Sequence, residues 1–277
     1  MTKKAPQIII IGAGLTGLAF AYRCRKPYVI LEKEKQPGGL CRSIYVNGFT
    51  FDHSGHFLHL HRPETQQLFA QLIPDLARVK RESWIFTHNT YIPYPFQAHL
   101  YGLPGKVKKE CVEGFLERPA VPSVANPDFY RWSLGTFGKG ITDHFMKPYN
   151  EKLWTVSSRS LATDWVAPFV PQPSREEVIN SARSPKTGNF GYNVQFYYPK
   201  AGGSQVFVNA FADRTDNLKL SVSVEKVNYR NKYIETSAGE KIYYDRLVST
   251  EPLPGLLDRM GSLPAGVAAA RKKLNWN

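Results

Sequence analysis

Residues 7–32 read QIIIIGAGLTGLAFAYRCRKPYVILE, a strand, a glycine turn, a helix and a second strand in succession. Gln7–Ile11 is a short β-branched run of the kind that forms a strand buried on both faces. Gly12, Gly14 and Gly17 follow at once in the spacing G-x-G-x-x-G, with Leu15 and Thr16 ahead of the third glycine. Leu18–Arg25 is compatible with a helix that Pro27 stops, and Tyr28–Leu31 reads as a second strand ending at Glu32. Gly12 permits a tight turn, Gly14 lets backbone approach a pyrophosphate, and Gly17 lets helix and strand pack closely. Unpaired N–H groups at the helix start, aided by the macrodipole, suit phosphates. Glu32 stands 20 residues after Gly12, where a carboxylate can accept hydrogen bonds from both ribose hydroxyls and disfavours a 2′-phosphate. Strand, helix, strand and acid in register point to a dinucleotide site.

Just beyond lie Lys33 and then Pro37-Gly38-Gly39-Leu40-Cys41-Arg42-Ser43. A second glycine turn so soon after the first lets more backbone approach an extended cofactor, which favours FAD over NAD. Ser43–Val46 and Phe49–Phe51 read as strands joined by an Asn47-Gly48 hairpin turn.

The rest of the composition fits this reading. The chain has 277 residues, 42% hydrophobic and 21% charged, enough for one large or two moderate domains and unlike a disordered chain. Three dispersed cysteines, Cys24, Cys41 and Cys111, exclude a disulfide scaffold or zinc ribbon and suit a reducing cytoplasm. The net charge is +13, but its basic clusters are short. No recognition helix or RNA-reading aromatic strand accompanies them, so nucleic acid is not an expected partner. Ile8–Tyr22 imitates a signal peptide after Lys3 and Lys4, yet it has glycines at fixed spacing and is shorter than the ~20 residues of a membrane span. No membrane partner is expected.

The run Asp52-His53-Ser54-Gly55-His56-Phe57-Leu58-His59-Leu60-His61 invites a metal reading. It lacks a nearby carboxylate pair or thiol, so no metal is expected. Gly55-His56 beside a flavin suits it better, because glycine permits close approach and imidazole can hydrogen-bond the ring.

From about Pro63 to Pro199 aromatics and prolines increase. Glu64–Ile73, Gly105–Arg118 and Gly140–Lys147 read as helices, and Trp84–Thr87 with Thr90–Tyr94 as a hairpin around His88-Asn89. Tyr91-Ile92-Pro93-Tyr94-Pro95-Phe96-Gln97 is an edge or loop, since prolines keep it from a central strand. Its flat surfaces suit a ring or sugar ligand, and packing explains them equally well. After Pro199 come a helix over Ser204–Arg214 and strand-like runs at Lys219–Val224, Val227–Tyr229, Tyr233–Ser237, Lys241–Tyr244 and Asp245–Thr250. Leu263–Leu274 begins another helix.

The motifs IGAGLTGL, PGGLCRS, FDHSGHF, YIPYPFQ, GKGITDHFMKPYNEKLWTV, KTGNFGYNVQFYYPKAGG and YDRLVST occur in one order from residue 7 to about 250. Together they resemble the UDP-galactopyranose mutases and neighbouring protoporphyrinogen-oxidase-like flavoproteins of the amine-oxidase superfamily. The resemblance implies an α/β fold in which a Rossmann-like FAD-binding domain (1–62 and 200–277) is interrupted by a helical and β substrate domain (63–199). It implies isomerisation of a nucleotide sugar, with reduced flavin as nucleophile and no net redox. A small-molecule substrate such as a UDP-sugar, and NAD(P)H or another reductant, are the implied partners.

Residue by residue, the resemblance assigns Gly12, Gly14, Leu15, Thr16, Gly17, Glu32 and Lys33 to the adenosine-diphosphate half of FAD. It assigns Gly39, Leu40 and Arg42 to the flavin-side turn, and Gly55 and His56 to the flavin itself, His56 being the catalytic candidate. Tyr94, Phe96 and Gln97 match the uridine pocket, and Asn150, Trp154 and Asn193 match further substrate contacts. Two departures stand out. Where the family places an arginine against the pyrophosphate, the register falls on Phe169. The chain also stops at Asn277, ahead of the closing C-terminal segment of the family. An oxidoreductase on the same scaffold, or a truncated non-catalytic flavin-binding remnant, are the alternatives.

Overall fold

The four isoleucines of β1 (Ile8–Ile11) are all buried. Ile8 and Ile10 join one apolar cluster with Leu18 and Ala21, while Ile9 and Ile11 join another with Val29 and Leu31. Burial on both faces is why this strand is a continuous β-branched run rather than an alternating one. A computed structural model describes residues 8–119, 127–185 and 195–274. The chain divides into two units, the first running up to Arg78 and resuming at Tyr197, the second spanning Val79–Phe196.

In the first unit β1 leads through α1 (Leu15–Arg23) to β2 (Tyr28–Leu31), which pairs with β1 in parallel. The helix starts at Leu15 rather than Leu18, with Gly14 as its N-cap, so Gly17 lies inside it. A Cβ on Gly17 would fall within contact distance of the Gly12 carbonyl oxygen, so this glycine is required by backbone packing. The hairpin of β3 (Ser43–Val46) and β4 (Phe49–Asp52) closes through Asn47 and Gly48, both at positive φ. Next comes α2 (Pro63–Leu72). Phe69, Leu72 and Ile73 pack in the same cluster as Ile8 and Ile10. That packing moves the first boundary from 62/63 to 78/79, and the second falls at 196/197 in place of 199/200.

The chain continues through β5 (Leu76–Lys80) into the second unit. There β6 (Trp84–Thr87) and β7 (Thr90–Pro93) form the expected hairpin around His88 and Asn89. The helices are α3 (Gly105–Leu116), α4 (Phe129–Ile141), α5 (Lys147–Trp154), α6 (Val166–Phe169) and α7 (Arg175–Arg183). A π-helical turn, Thr142–Met146, joins α4 to α5. The expected helix Gly140–Lys147 is therefore a fragment of a longer element. Gly138 interrupts α4 at φ 75, and a Cβ there or on Gly140 would strike the carbonyls of Gly114 and Glu110 in α3. The glycines argue against helix by propensity, but close packing of two helix backbones demands them. The helix α7 lies outside the elements expected from the sequence, although Ser174-x-x-Glu177 is a capping box. Glu177 N–H donates to Ser174 Oγ at 3.2 Å, and Ser174 N–H donates to Glu177 Oε2 at 2.8 Å.

The chain then returns through β8 (Gln195–Pro199), α8 (Gln205–Ala212) and β9 (Leu218–Lys219). An antiparallel meander of β10 (Val224–Asn228), β11 (Tyr233–Thr236) and β12 (Lys241–Tyr243) precedes β13 (Arg246–Ser249), α9 (Leu253–Arg259) and α10 (Ala265–Arg271). The main sheet is parallel, in the order β13-β1-β2-β9. The expected strand Lys219–Val224 is broken, because Ser221 has φ 58 and the N–H groups of Ser221 and Val222 donate to the carbonyls of Glu34 and Glu32. Among the described residues no helix is long and apolar enough to cross a membrane.

Candidate functional site

In the first unit the two glycine turns are joined. Gly38 N–H donates to the Ala13 carbonyl at 2.8 Å, and Gly14 and Gly38 form a parallel bridge. Gly38 and Gly39 have φ 135 and 55, conformations that favour glycine. Among the described residues nothing lies within 4 Å of the Cβ position of Gly14, which leaves open space before this turn. The start of α1, where Leu15, Thr16 and Gly17 lie, carries no side-chain cap. Thr250, following β13, donates its hydroxyl to the Ile11 carbonyl at 3.0 Å and so braces the turn from the other side.

Glu32 sits at the tip of β2, 6% exposed. Its Oε2 accepts from Ala13 N–H at 2.7 Å and its Oε1 from Glu34 N–H at 3.0 Å. Each carboxylate oxygen keeps a further lone pair for a ligand hydroxyl. Lys33 is exposed, 3.7 Å from Glu34. Arg42 turns back: its Nε–H donates to the Gly39 carbonyl at 3.0 Å, and its guanidinium lies 3.5 Å from Glu34. Leu40 is 73% exposed on the short 3-10 turn Gly39–Cys41.

Gly55 and His56 lie in the irregular segment after β4. His56 Nδ1 is 2.9 Å from the Ser54 carbonyl oxygen. A carbonyl only accepts, so the proton of the neutral ring sits on Nδ1 and Nε2 is an acceptor. Among the described residues no three His, Cys, Asp or Glu are grouped to hold a metal ion.

Asp52 is a structural tie beside the candidate site that sequence reasoning missed. Its Oδ1 accepts from Ser43 Oγ at 2.6 Å and from Ser204 N–H at 2.9 Å, and its Oδ2 accepts from the Tyr198 hydroxyl. This one carboxylate ties the β3–β4 hairpin to β8 and to the start of α8. Burial pushes its pKa up, but the hydrogen bonds from Ser43, Tyr198 and Ser204 outweigh that and hold it below the usual value. Tyr198 is pushed up to about 12, by burial first and then by Asp52. The signal was available: a two-residue Asn47-Gly48 turn forces Ser43 opposite Asp52.

The second unit holds the candidates assigned to substrate. Tyr94 is half-buried with the Arg81 guanidinium 5.6 Å from its ring centre, and burial raises its hydroxyl pKa. Phe96 is fully buried and stacked on Phe145, centroids 4.9 Å apart; its place is in the core. Gln97, 1% exposed, donates from Nε2 to the Pro171 carbonyl at 2.6 Å, while its Oε1 has no hydrogen-bond partner among the described residues. Asn150 is buried and donates to the Met146 carbonyl at 2.8 Å. Trp154 lies edge-on to Trp165 at 5.6 Å, half exposed. Phe169 ends α6, also half exposed. Asn193 lies outside the described residues.

Residues 10–72 match the family described as NAD(P)-binding Rossmann-like domain. A 72-residue stretch is 36% identical to the inactive all-trans-retinol 13,14-reductase of Danio rerio, covering 24% of this chain and 12% of that protein. Among solved structures, a reduced UDP-galactopyranose mutase superposes with a TM-score of 0.88 at 30% identity, over 97% of this chain and 60% of that one. A protein of Exiguobacterium sp. 255-15 assigned as a protoporphyrinogen oxidase gives 0.69 at 16% identity, over 96% and 64%. Putrescine oxidase gives 0.62 at 17%, over 96% and 63%. At the two lower identities the likeness is one of fold. The chain thus has an α/β fold with a Rossmann-like segment over residues 10–72, shares its fold with these flavoenzyme structures, and spans about 60% of the length of the mutase structure.

Proposed function

We propose that the first unit binds FAD through its paired glycine turns, and that the protein is a flavin-dependent, mutase-like enzyme acting on a nucleotide sugar. The observation that carries the cofactor is the Ala13–Gly38 hydrogen bond beside the open space at Gly14. A dinucleotide pyrophosphate needs close backbone approach, which this turn offers, and backbone donors, for which the first turn of α1, without a side-chain cap, is the source in this reading. Glu32 accepts the ribose hydroxyls, Leu40 offers an apolar surface to a ring, and His56 offers Nε2 as an acceptor. When bound, the flavin supplies an electron-rich ring nitrogen in its reduced form; the protein's part is binding and orientation.

The mutase-like reading rests on the likeness to UDP-galactopyranose mutase along 97% of the chain. Gln97 supports it: a buried carbonyl oxygen without a partner is costly unless a donor arrives, and a nucleobase N–H is such a donor. Tyr94, Asn150 and Trp154 are the further substrate residues of this reading. The test is to incubate dithionite-reduced, FAD-loaded protein with UDP-galactofuranose. UDP-galactopyranose formed without stoichiometric consumption of reductant supports the reading. Flavin reoxidation in step with substrate turnover, and no isomer, sinks it in favour of an oxidoreductase. Phe169 favours that second reading, since a phenyl ring cannot neutralise a diphosphate.

A further inference from the structure

The second unit bears a pocket of about 460 Å³, open to solvent and lined by Tyr130, Lys147, Glu151, Thr155, Ser158 and Arg159, among others, none of them assigned a role above. Lys147 and Glu151 are four residues apart on α5, so they share one helix face. Thr155 caps α5 in the left-handed region at φ 56. A β-branched residue at positive φ is an outlier that a fold retains only where the surroundings demand it. The reversal at Thr155 returns the chain to Glu151, whose Oε1 accepts from Ser158 N–H at 3.0 Å and from Ser158 Oγ at 2.8 Å.

Two cations meet on one ring here. The Arg159 guanidinium carbon lies 4.4 Å from the Tyr130 ring centre, and Lys147 Nζ lies 5.9 Å from it. Among the described residues neither cation has an ion-pair partner within 4.0 Å. Glu151 is the one carboxylate in the cavity, already engaged by Ser158, and it leaves the three groups with a charge of +1. Exposed lysine and arginine side chains normally range freely; attraction to an aromatic face holds them in place ahead of any ligand, which lowers the ordering cost of binding. The cavity is far larger than a bare phosphate and falls in the range of small-organic-ligand sites.

We propose that this cavity binds the phosphate end of a small organic phosphate, with Arg159 and Lys147 donating to phosphate oxygens and Tyr130 fixing both cations. Arginine is the side chain suited to two parallel hydrogen bonds to phosphate, and the exposed hydroxyl of Thr155 adds an uncharged donor, while Ser158 spends its own proton on Glu151. The inference does not rest on the flavin or the nucleotide-sugar reading.

The test is calorimetric titration of the full chain with inorganic pyrophosphate and, separately, with UDP and with sulfate, at 0.1 M salt. The variants are Lys147→Gln, Arg159→Gln, the double variant, and Lys109→Gln as a control on an exposed lysine elsewhere in the same unit. Circular dichroism establishes that each variant is folded, which exposed positions favour. The expected result is saturable pyrophosphate binding that each single cavity variant weakens at least fivefold. The double variant loses one binding equivalent, and Lys109→Gln stays within twofold of wild type. UDP tighter than pyrophosphate, with the same variant pattern, supports an organic ligand. Unchanged binding in the double variant, equal weakening by Lys109→Gln, or sulfate binding as tightly as pyrophosphate would each overturn the proposal.

Discussion

Gly38 N–H donates to the carbonyl oxygen of Ala13 at 2.8 Å, so two glycine turns separated by some 25 residues of chain form one backbone surface. On that surface Gly14 and Gly17 are glycines for different reasons. Gly17→Ala places a methyl against the Gly12 carbonyl and should destabilise by about 1–3 kcal/mol through overpacking. Gly14→Ala meets open space and should cost at most about 1 kcal/mol, the penalty of alanine at an N-cap. Urea unfolding of both variants checks the order; equal losses would show that Gly14 is also a packing glycine.

Glu32 is buried and holds two backbone N–H groups, whereas Glu34 is partly exposed beside Lys33 and Arg42. Glu32→Ala leaves the Ala13 N–H without its acceptor, so the expected loss is about 1–3 kcal/mol of stability. Weaker FAD retention should accompany it. Glu34→Ala should change stability by less than about 0.5 kcal/mol. Denaturation and flavin-binding curves for the pair decide it, and matching behaviour would mean that the strand tip does not lie at Glu32.

The Asp52–Tyr198 hydrogen bond sets a pH window. Asp52 has a folded pKa below its unfolded value, so its contribution is present above about pH 4 and is lost as pH falls through the folded pKa. Tyr198 has a folded pKa raised to about 12. Its contribution is therefore full below about pH 10 and lost as pH rises through 12. Tyr198→Phe should remove the alkaline limb, weaken the acid one, and cost about 1.5 kcal/mol near neutrality, the low end for a bond to a charged group that is partly exposed. Melting temperature against pH for both proteins is the measurement; identical profiles would show that the bond contributes nothing.

Burial separates the three thiols. Cys111 is fully buried and its pKa is pushed up to about 12, by burial first and then by Glu110; Cys41 is raised for the same leading reason, with Asp52 adding to it. Cys24 is the partly exposed one. Thiolate is the reactive form, so a disulfide-exchange reagent at pH 8 should titrate one thiol quickly in the native protein and three after denaturation. Three fast thiols in the native state would contradict the packing around α3.

The first βαβ unit was legible because strand periodicity, glycine spacing and the terminal acid agree over 26 consecutive residues. The β3–β4 and β6–β7 hairpins were legible from their turn residues. What sequence reasoning could not reach was set by tertiary contact. Gly138 and Gly140 look like helix breakers until α3 is seen against them, and Ser221 breaks a strand whose N–H groups the Glu32 loop takes. In the candidate site, Glu32 and the glycine turns could be read from spacing. Asp52 was passed over because its partners, Tyr198 and Ser204, lie about 150 residues away.

If the joined glycine turns hold FAD at Gly14, the purified protein retains that cofactor and loses it when the turn is filled. The purified chain and its Gly14→Val variant are incubated with excess FAD, passed through a desalting column, and measured for absorbance near 450 nm and for the cofactor released on denaturation. The expected result is a yellow wild type that retains FAD and not NAD, and a variant that is colourless although circular dichroism shows it folded. Equal flavin in both proteins, or none in the folded wild type, would contradict it.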